Sequence, residues 1–188
     1  MNTLKFYPEK LRKIYLKNIR NAGIEKHPEK YHNSIFILTI VLTAIASTLF
    51  YFLSIGIYFI PFVFIFLHVL FYFKTSLKAD SRLKKMESVF PDVISLMSSN
   101  LKSGITIDKA FLLAARPEFD PLDKEILKTG RDITTGQDVV FALKNMGARI
   151  ESEKIEKVVM LIISGLKAGG NISDLLEQTA ANMKKKRY

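Results

Sequence analysis

The apolar positions of this chain fall into two regimes, and the change comes near residue 74. Residues 34–73 are forty positions without one Asp, Glu, Lys or Arg. A bilayer core is crossed by roughly 20 apolar residues in a helix, so this run is long enough to cross twice. Near its middle stand Leu53-Ser54-Ile55-Gly56-Ile57, with Pro61 shortly after, and Gly and Pro let one helix stop and another begin. The pattern predicts a helical hairpin: residues 34 to about 53 across, a tight turn at 54–57, and residues 58–73 back. Lys74 and Lys78 can reach toward the headgroups and relieve the short second leg. Tyr51, Phe52, Tyr58 and Phe59 gather at the turn, with Tyr31, Phe71, Tyr72 and Phe73 at the other end, as interfacial aromatics do.

Before the hairpin, residues 1–32 are basic and amphipathic. Pro8 fits a first helical position, Leu11, Ile14, Tyr15 and Ile19 share a helical face, and Gly23 is a stop. Such a helix lies on the cytoplasmic leaflet or docks on a partner, or else it packs as a lead-in on its own cytoplasmic domain. The pattern leaves both open.

After residue 74 the spacing is that of soluble helices. Phe90, Ile94, Met97 and Leu101 step by four, three and four up to Ser103-Gly104. Thr106 is placed to cap a second helix bearing Ile107, Phe111 and Ala114, closed by Arg116-Pro117. Asp120-Pro121 reads as cap and first position of a third, with Leu122, Ile126 and Ile133, ended at Gly136. Val139, Leu143, Met146 and Ile150 mark a fourth. Ser152 caps a fifth with Ile155, Val158, Val159, Ile162 and Leu166; its uncharged 158–165 stretch makes it the helix expected to be most buried. Gly169-Gly170 stops it. Asn171, with Asp174 three residues on, starts a sixth carrying Ile172, Leu176, Thr179 and Met183, which ends in the basic run 184–187. No segment sustains the period-two alternation of a strand. The expected architecture is all-α: residues 1–32 a basic amphipathic helix, 33–74 a two-helix transmembrane hairpin, and 75–188 an antiparallel six-helix cytoplasmic bundle. One turn recurs, since Leu101-Lys102-Ser103-Gly104-Ile105-Thr106-Ile107 echoes Leu166-Lys167-Ala168-Gly169-Gly170-Asn171-Ile172.

Charge fixes an orientation. The chain has 28 basic and 18 acidic residues, for a net +10. Both flanks of the apolar run are basic: Arg20, Lys26 and Lys30 on one side, Lys74, Lys78, Arg82, Lys84 and Lys85 on the other. By the positive-inside rule both termini belong in the cytoplasm of a cell membrane, which agrees with an even number of crossings. The flanks account for the excess charge, so nucleic acid is not an expected partner. Cysteine is absent, which removes disulfides and thiolate metal sites. Neither a phosphate loop, a dinucleotide fingerprint, a zinc helix nor a nucleophile elbow is present. No catalytic, cofactor or metal residues are assigned, and an enzyme is not expected. The three histidines are scattered in sequence; His68, in the second span, is expected to be neutral with one hydrogen bond.

Phe90-Pro91-Asp92, then Leu101-Lys102-Ser103-Gly104-Ile105-Thr106 and Ala110, resemble the opening motif of the type II secretion system protein F domain. Pro121-Leu122 with Glu125, Gly136, Ala142-Leu143, Arg149, Gly169-Gly170 and Leu175-Leu176-Glu177 continue the pattern in order. Residues 22–24 and 28–31 are similar to the juxtamembrane stretch of the Tad-pilus and archaeal branch. The motif positions singled out are Pro91, Gly104, Thr106, Pro121, Gly136, Arg149, Gly169, Gly170 and Glu177. The resemblance implies a non-enzymatic inner-membrane platform of a secretion, type IV pilus or archaeal flagellum machine, with a six-helix cytoplasmic domain. It implies a cytoplasmic hexameric ATPase and pilin-like subunits as partners, besides membrane lipid, and a homo-oligomer, taken as a dimer, is expected. Family members continue into further membrane helices, whereas this sequence stops at a basic cluster, so a shortened form or one part of a split platform is expected. Contact with the ATPase is expected at the acidic corner of Glu118, Asp120, Asp123 and Glu125, and at Glu151, Glu153, Lys154 and Lys157. The competing reading is a two-span sensor or adaptor with a dimerising bundle; it would show a sustained heptad seam or a kinase-type histidine, and neither is seen.

Overall fold

Residues 8–24, 27–52 and 57–185 are described by a computed structural model, and they are helical with no strand among them. They form eight α-helices: α1 (Glu9–Asn21), α2 (Pro28–Phe52), α3 (Ile60–Lys102), α4 (Ile107–Ala114), α5 (Leu122–Thr134), α6 (Val139–Ile150), α7 (Glu153–Lys167) and α8 (Ile172–Lys185). Short 3-10 turns stand at Ile57–Phe59 and Pro117–Phe119. The chain falls into two compact units, Met1–Arg82 and Leu83–Tyr188, and α3 contributes to both.

In the first unit, α2 and α3 are each long and apolar enough to cross a membrane. A core helix of a soluble protein would be mostly buried. Here only 17 % of the apolar window in α2 and 6 % of that in α3 is buried, so these faces are turned outward. The threonine hydroxyls of α2 are satisfied within their own helix. Thr39 donates to the Ile35 carbonyl at 2.7 Å and Thr43 to that of Thr39 at 2.8 Å, which removes the cost of a bare hydroxyl in an apolar medium. Tyr51, Phe52 and Tyr58, at the ends of the two legs, are more than four-fifths exposed. The expected turn at 54–57 falls largely outside the described residues; Ile57 opens the 3-10 turn.

Two expectations for this unit change. The second leg has no helix end at Phe73: α3 runs on through Lys74 to Lys102, and through Pro91. Charge replaces apolar residues at position 74, but residues 74–90 hold no Gly or Pro and nothing interrupts propagation of the hydrogen-bond ladder. Pro8 precedes α1 as its N-cap rather than opening it. Of the predicted α1 face, Tyr15 and Ile19 are buried, with Leu16, Ile24, Tyr31 and Tyr72 packed around them. Leu11 and Ile14 are instead 54 % and 51 % exposed.

The second unit holds the helical bundle, formed by the end of α3 and by α4–α8. Phe90, Ile94, Phe111, Leu122, Leu143 and Ile155 are almost fully buried at its centre, all at positions predicted from the helical periodicity. The recurring turn is the same object twice. Gly104 takes φ +82° and Gly169 φ +68°. Each is closed by paired bonds, Gly104 N–H to Leu101 O with Ile105 N–H to Asn100 O, and Gly169 N–H to Leu166 O with Gly170 N–H to Gly165 O. This left-handed closure satisfies the last carbonyls of a helix, and glycine enters it without steric cost.

The expectation that α7 is the most buried helix does not hold. Its Met160 and Leu161 are about half exposed, whereas α6 buries Ala142, Leu143, Met146, Gly147 and Ile150. Lack of charge does not fix burial: α7 packs on both α6 and α8, as α6 does on α5 and α7, yet it turns Met160 and Leu161 outward.

Candidate functional site

The connections between the bundle helices lie at its two ends, and hydrogen bonds and ion pairs to α3 show which residues meet there. Asp120, ending the Pro117–Phe119 turn, lies 3.9 Å from Lys85. Ser152, between α6 and α7, donates to Glu87 at 2.7 Å. The approaches to α5 and to α7 therefore meet beside residues 85–87, and the two candidate contact patches, far apart in sequence, share one end of the bundle. At the other end Ser98 donates to Ser173 O at 2.7 Å, and Lys102 pairs with Glu177 and, at 3.6 Å, with Asp174. The motif residue Glu177 thus ties the start of α8 to the end of α3, and its hydrogen bond holds the Lys102 amine above its ordinary pKa of 10.5.

At the first end the predicted residues separate into outer and inner ones. Glu118 is exposed, 3.5 Å from Arg116. Asp120 accepts from Lys124 at 2.9 Å and is half exposed. It does not cap α5; Pro121 stands at that position. Asp123 is partly buried, and its Oδ1 meets no hydrogen-bond partner among the described residues. Glu125 turns inward: Arg149 Nε lies 2.8 Å from its Oε2, and the two side chains are 25 % and 14 % exposed. Arg149 also donates to Thr129 Oγ1 at 3.2 Å and approaches Asp132 at 3.9 Å. Position 125 borders the buried α5 face of Leu122, Ile126 and Thr129, so a helical turn carries it toward the interior and not into the exposed corner. Two motif positions, Glu125 and Arg149, are one ion pair across α5 and α6.

Across α7, Glu151 ends α6 in a left-handed conformation, φ 56°. Ser152 caps α7, accepting from Ile155 N–H at 3.3 Å. Lys154 reaches back to Glu87 at 2.8 Å. Glu153 and Lys157 pair at 2.6 Å on the open face; that bond lowers the Glu153 pKa and raises that of Lys157. Lys84, Glu87, Pro91, Lys154, Lys157 and Met183 line an open groove between α3, α7 and α8, which brings the motif proline beside two of the candidate contacts, Lys154 and Lys157.

Thr106 occupies the N-cap position of α4 but makes no cap bond. It bonds instead to Asp108, which holds that carboxyl below its ordinary 3.8. Gly136 takes φ +95° after α5, as a stop should.

Three features escaped the sequence reading. Glu87 anchors both Ser152 and Lys154. Gly130, inside α5, sits where an added Cβ would lie 2.9 Å from Leu112 Cδ2 and 3.2 Å from Leu112 N; a glycine in a helix interior was the available signal. In the first unit His32 and His68 come together, rings 5.9 Å apart and perpendicular, with Tyr15 4.8 Å from His32 and Phe36 and Phe64 close by. His68 therefore sits in an aromatic cluster, and nothing in the separate sequence positions linked the two imidazoles.

Two apolar, outward-facing helices of membrane length leading into a helical bundle describe an all-α protein with two candidate membrane spans. Residues 93–188, just over half of the chain, match the family model described as type II secretion system (T2SS), protein F. The chain belongs to that family, whose members are membrane platform proteins of secretion and pilus systems. Searches of curated proteins and of solved structures find no match.

Proposed function

We propose that this protein is a non-enzymatic, multi-pass platform in the cytoplasmic membrane, with both ends of this chain in the cytoplasm. Its bundle receives the movement of a cytoplasmic hexameric ATPase and passes it to pilin-like subunits in the membrane. The family match over the bundle carries this reading, and the two outward-facing apolar helices that precede it in the chain support a membrane seat. The surface proposed for the motor is the charged end of the bundle at Glu118, Asp120, Glu151, Glu153 and Lys157. Glu125 is withdrawn from that surface because it serves Arg149, and Lys154 contributes to it through Glu87. Exposed charges of this kind steer association and are screened by salt.

Topology is tested with single cysteines, to which the natural absence of cysteine lends itself. Glu9→Cys, Tyr58→Cys and Asn182→Cys are expressed in cells and treated with an impermeant thiol reagent. Only Tyr58→Cys is expected to react from outside. External labelling of Asn182→Cys contradicts the hairpin and the platform orientation with it.

A further inference from the structure

We propose that α1 is a brace that fastens the root of α3 to the anionic cytoplasmic leaflet, its outer face binding phospholipid headgroups. The proposal rests on the membrane reading of α2 and α3, and adds to it a lipid class and a binding surface. Two bonds tie α1 to α3. Asn18 donates to the Tyr72 hydroxyl at 2.9 Å, and Arg82 donates to the Asn21 carbonyl at 3.4 Å. They grip α3 ten residues apart, about 15 Å along the helix. Gly23 makes room for the second: a Cβ there would lie 3.4 Å from Arg82 Nε, and its φ of +88° turns the chain back after α1. Ile19, fully buried, and Tyr15 pack with Tyr31 and Tyr72, the aromatics beside the basic flanks of the two apolar helices. The seat of α1 is therefore at the level of the membrane interface.

What α1 presents away from that seat matches a leaflet. Leu11 and Ile14 are more than half exposed and project to one side of the buried stripe. Lys10, Lys13, Lys17 and Arg20 follow on the adjoining arc and are exposed. The helix carries five basic residues and one acidic, Glu9. Apolar side chains at the acyl boundary with lysines at phosphate level is the arrangement of an interfacial helix, and its attraction is for anionic lipid. An acidic protein partner would answer the lysines but leave Leu11 and Ile14 in water. A bilayer answers both, and at this depth it is always present.

The chain has no tryptophan, so a single one reports its own surroundings. Ile14→Trp and, as a control in the apolar helix, Phe62→Trp are placed in the full chain and reconstituted with brominated phosphatidylcholine, alone or mixed with brominated phosphatidylglycerol. Phe62→Trp is expected to be quenched in both bilayers. Ile14→Trp is expected to shift to the blue and be quenched in the anionic bilayer. Both effects are lost when Lys10, Lys13 and Lys17 are replaced by Gln. Hydrogen exchange over residues 72–82 is expected to slow on adding phosphatidylglycerol in the wild type and not in the Gln variant. An unquenched Ile14→Trp beside a quenched Phe62→Trp overturns the brace alone; loss of both signals overturns the membrane reading beneath it. Equal quenching of Ile14→Trp with and without anionic lipid overturns the assignment of lipid class. Quenching without any change in exchange overturns the bracing of α3.

Discussion

Arg149 at the end of α6 and Glu125 in the first turn of α5 meet through an Nε–Oε2 contact of 2.8 Å, with both side chains three-quarters or more covered. Each also sits where its helix's dipole favours it, the acid in the first turn of α5 and the base in the last turn of α6. Arg149→Met leaves a largely buried carboxylate without its partner, and is expected to destabilise the bundle by about 2 kcal/mol. Glu125→Gln/Arg149→Met together should cost less than the separate changes added. Arg149→Lys should not rescue, since one ammonium cannot serve Glu125 and Thr129 in the guanidinium geometry. Thermal melting of the four variants measures the coupling, and additive losses would show the pair to be incidental.

Glycine acts in two different ways here. At Gly104 and Gly169 a Cβ meets nothing within 4 Å, so the cost of substitution is conformational. Alanine at either is expected to destabilise by about 1 kcal/mol, with Asn milder because it tolerates the left-handed region. At Gly130 the backbone is helical and the obstacle is the Leu112 backbone at 3.2 Å. Gly130→Ala is expected to destabilise by about 1 kcal/mol in spite of alanine's better helix propensity. Gly130→Ala melting above wild type would show that α4 and α5 can separate freely.

These contrasts show what the sequence carried. The bundle helices were legible because Phe90, Ile94, Leu143 and Ile155 keep helical spacing, and because Gly104, Gly136 and Gly169 punctuate them. The burial of α7 is not legible in the sequence, because periodicity describes one helix and not its neighbours. The surface position expected for Glu125 fails for a related reason: its neighbours Asp120 and Asp123 are acidic, but a helix moves position 125 round to Arg149, twenty-four residues on. The meeting of His32 with His68, and of Glu87 with Ser152 and Lys154, depends on tertiary approach that no local pattern encodes.

Acid and base should touch different contacts. Asp108 and Glu153 have pKa values below their ordinary 3.8 and 4.5, held there by hydrogen bonds from Thr106 and Lys157. Their contributions are present above those ordinary values and disappear as pH falls below them. The Lys102 pKa is raised above 10.5 by Glu177, so its contribution is present below 10.5 and disappears as pH climbs through the raised value. Thr106→Ala should therefore lower the melting temperature at about pH 7 and make less difference at acid pH, below the lowered Asp108 pKa, where that carboxyl is protonated. An equal loss at both pH values would show that Thr106 acts through packing and not through Asp108.

Glu87 holds the start of α7 through Ser152 and Lys154. With its side chain only 18 % exposed, Glu87→Ala is expected to destabilise by about 1–2 kcal/mol. Lys154→Ala, whose side chain is 76 % exposed, should cost less than about 0.5 kcal/mol. Comparable losses would place the support of α7 in the exposed pair and not in the covered Glu87–Ser152 bond.

The proposed docking of an ATPase motor on the bundle of this membrane platform is open to direct test. Its most direct measurement is binding of the cognate cytoplasmic ATPase to the full chain in proteoliposomes, with ATP hydrolysis by the chain alone followed in parallel. Saturable binding is expected at low salt, weakening as salt rises. Further loss is expected when Glu118, Asp120, Glu151 and Glu153 are changed to Lys, with no hydrolysis in the absence of the motor. A folded, reconstituted chain that fails to bind the motor at low salt, or that hydrolyses ATP by itself, contradicts it.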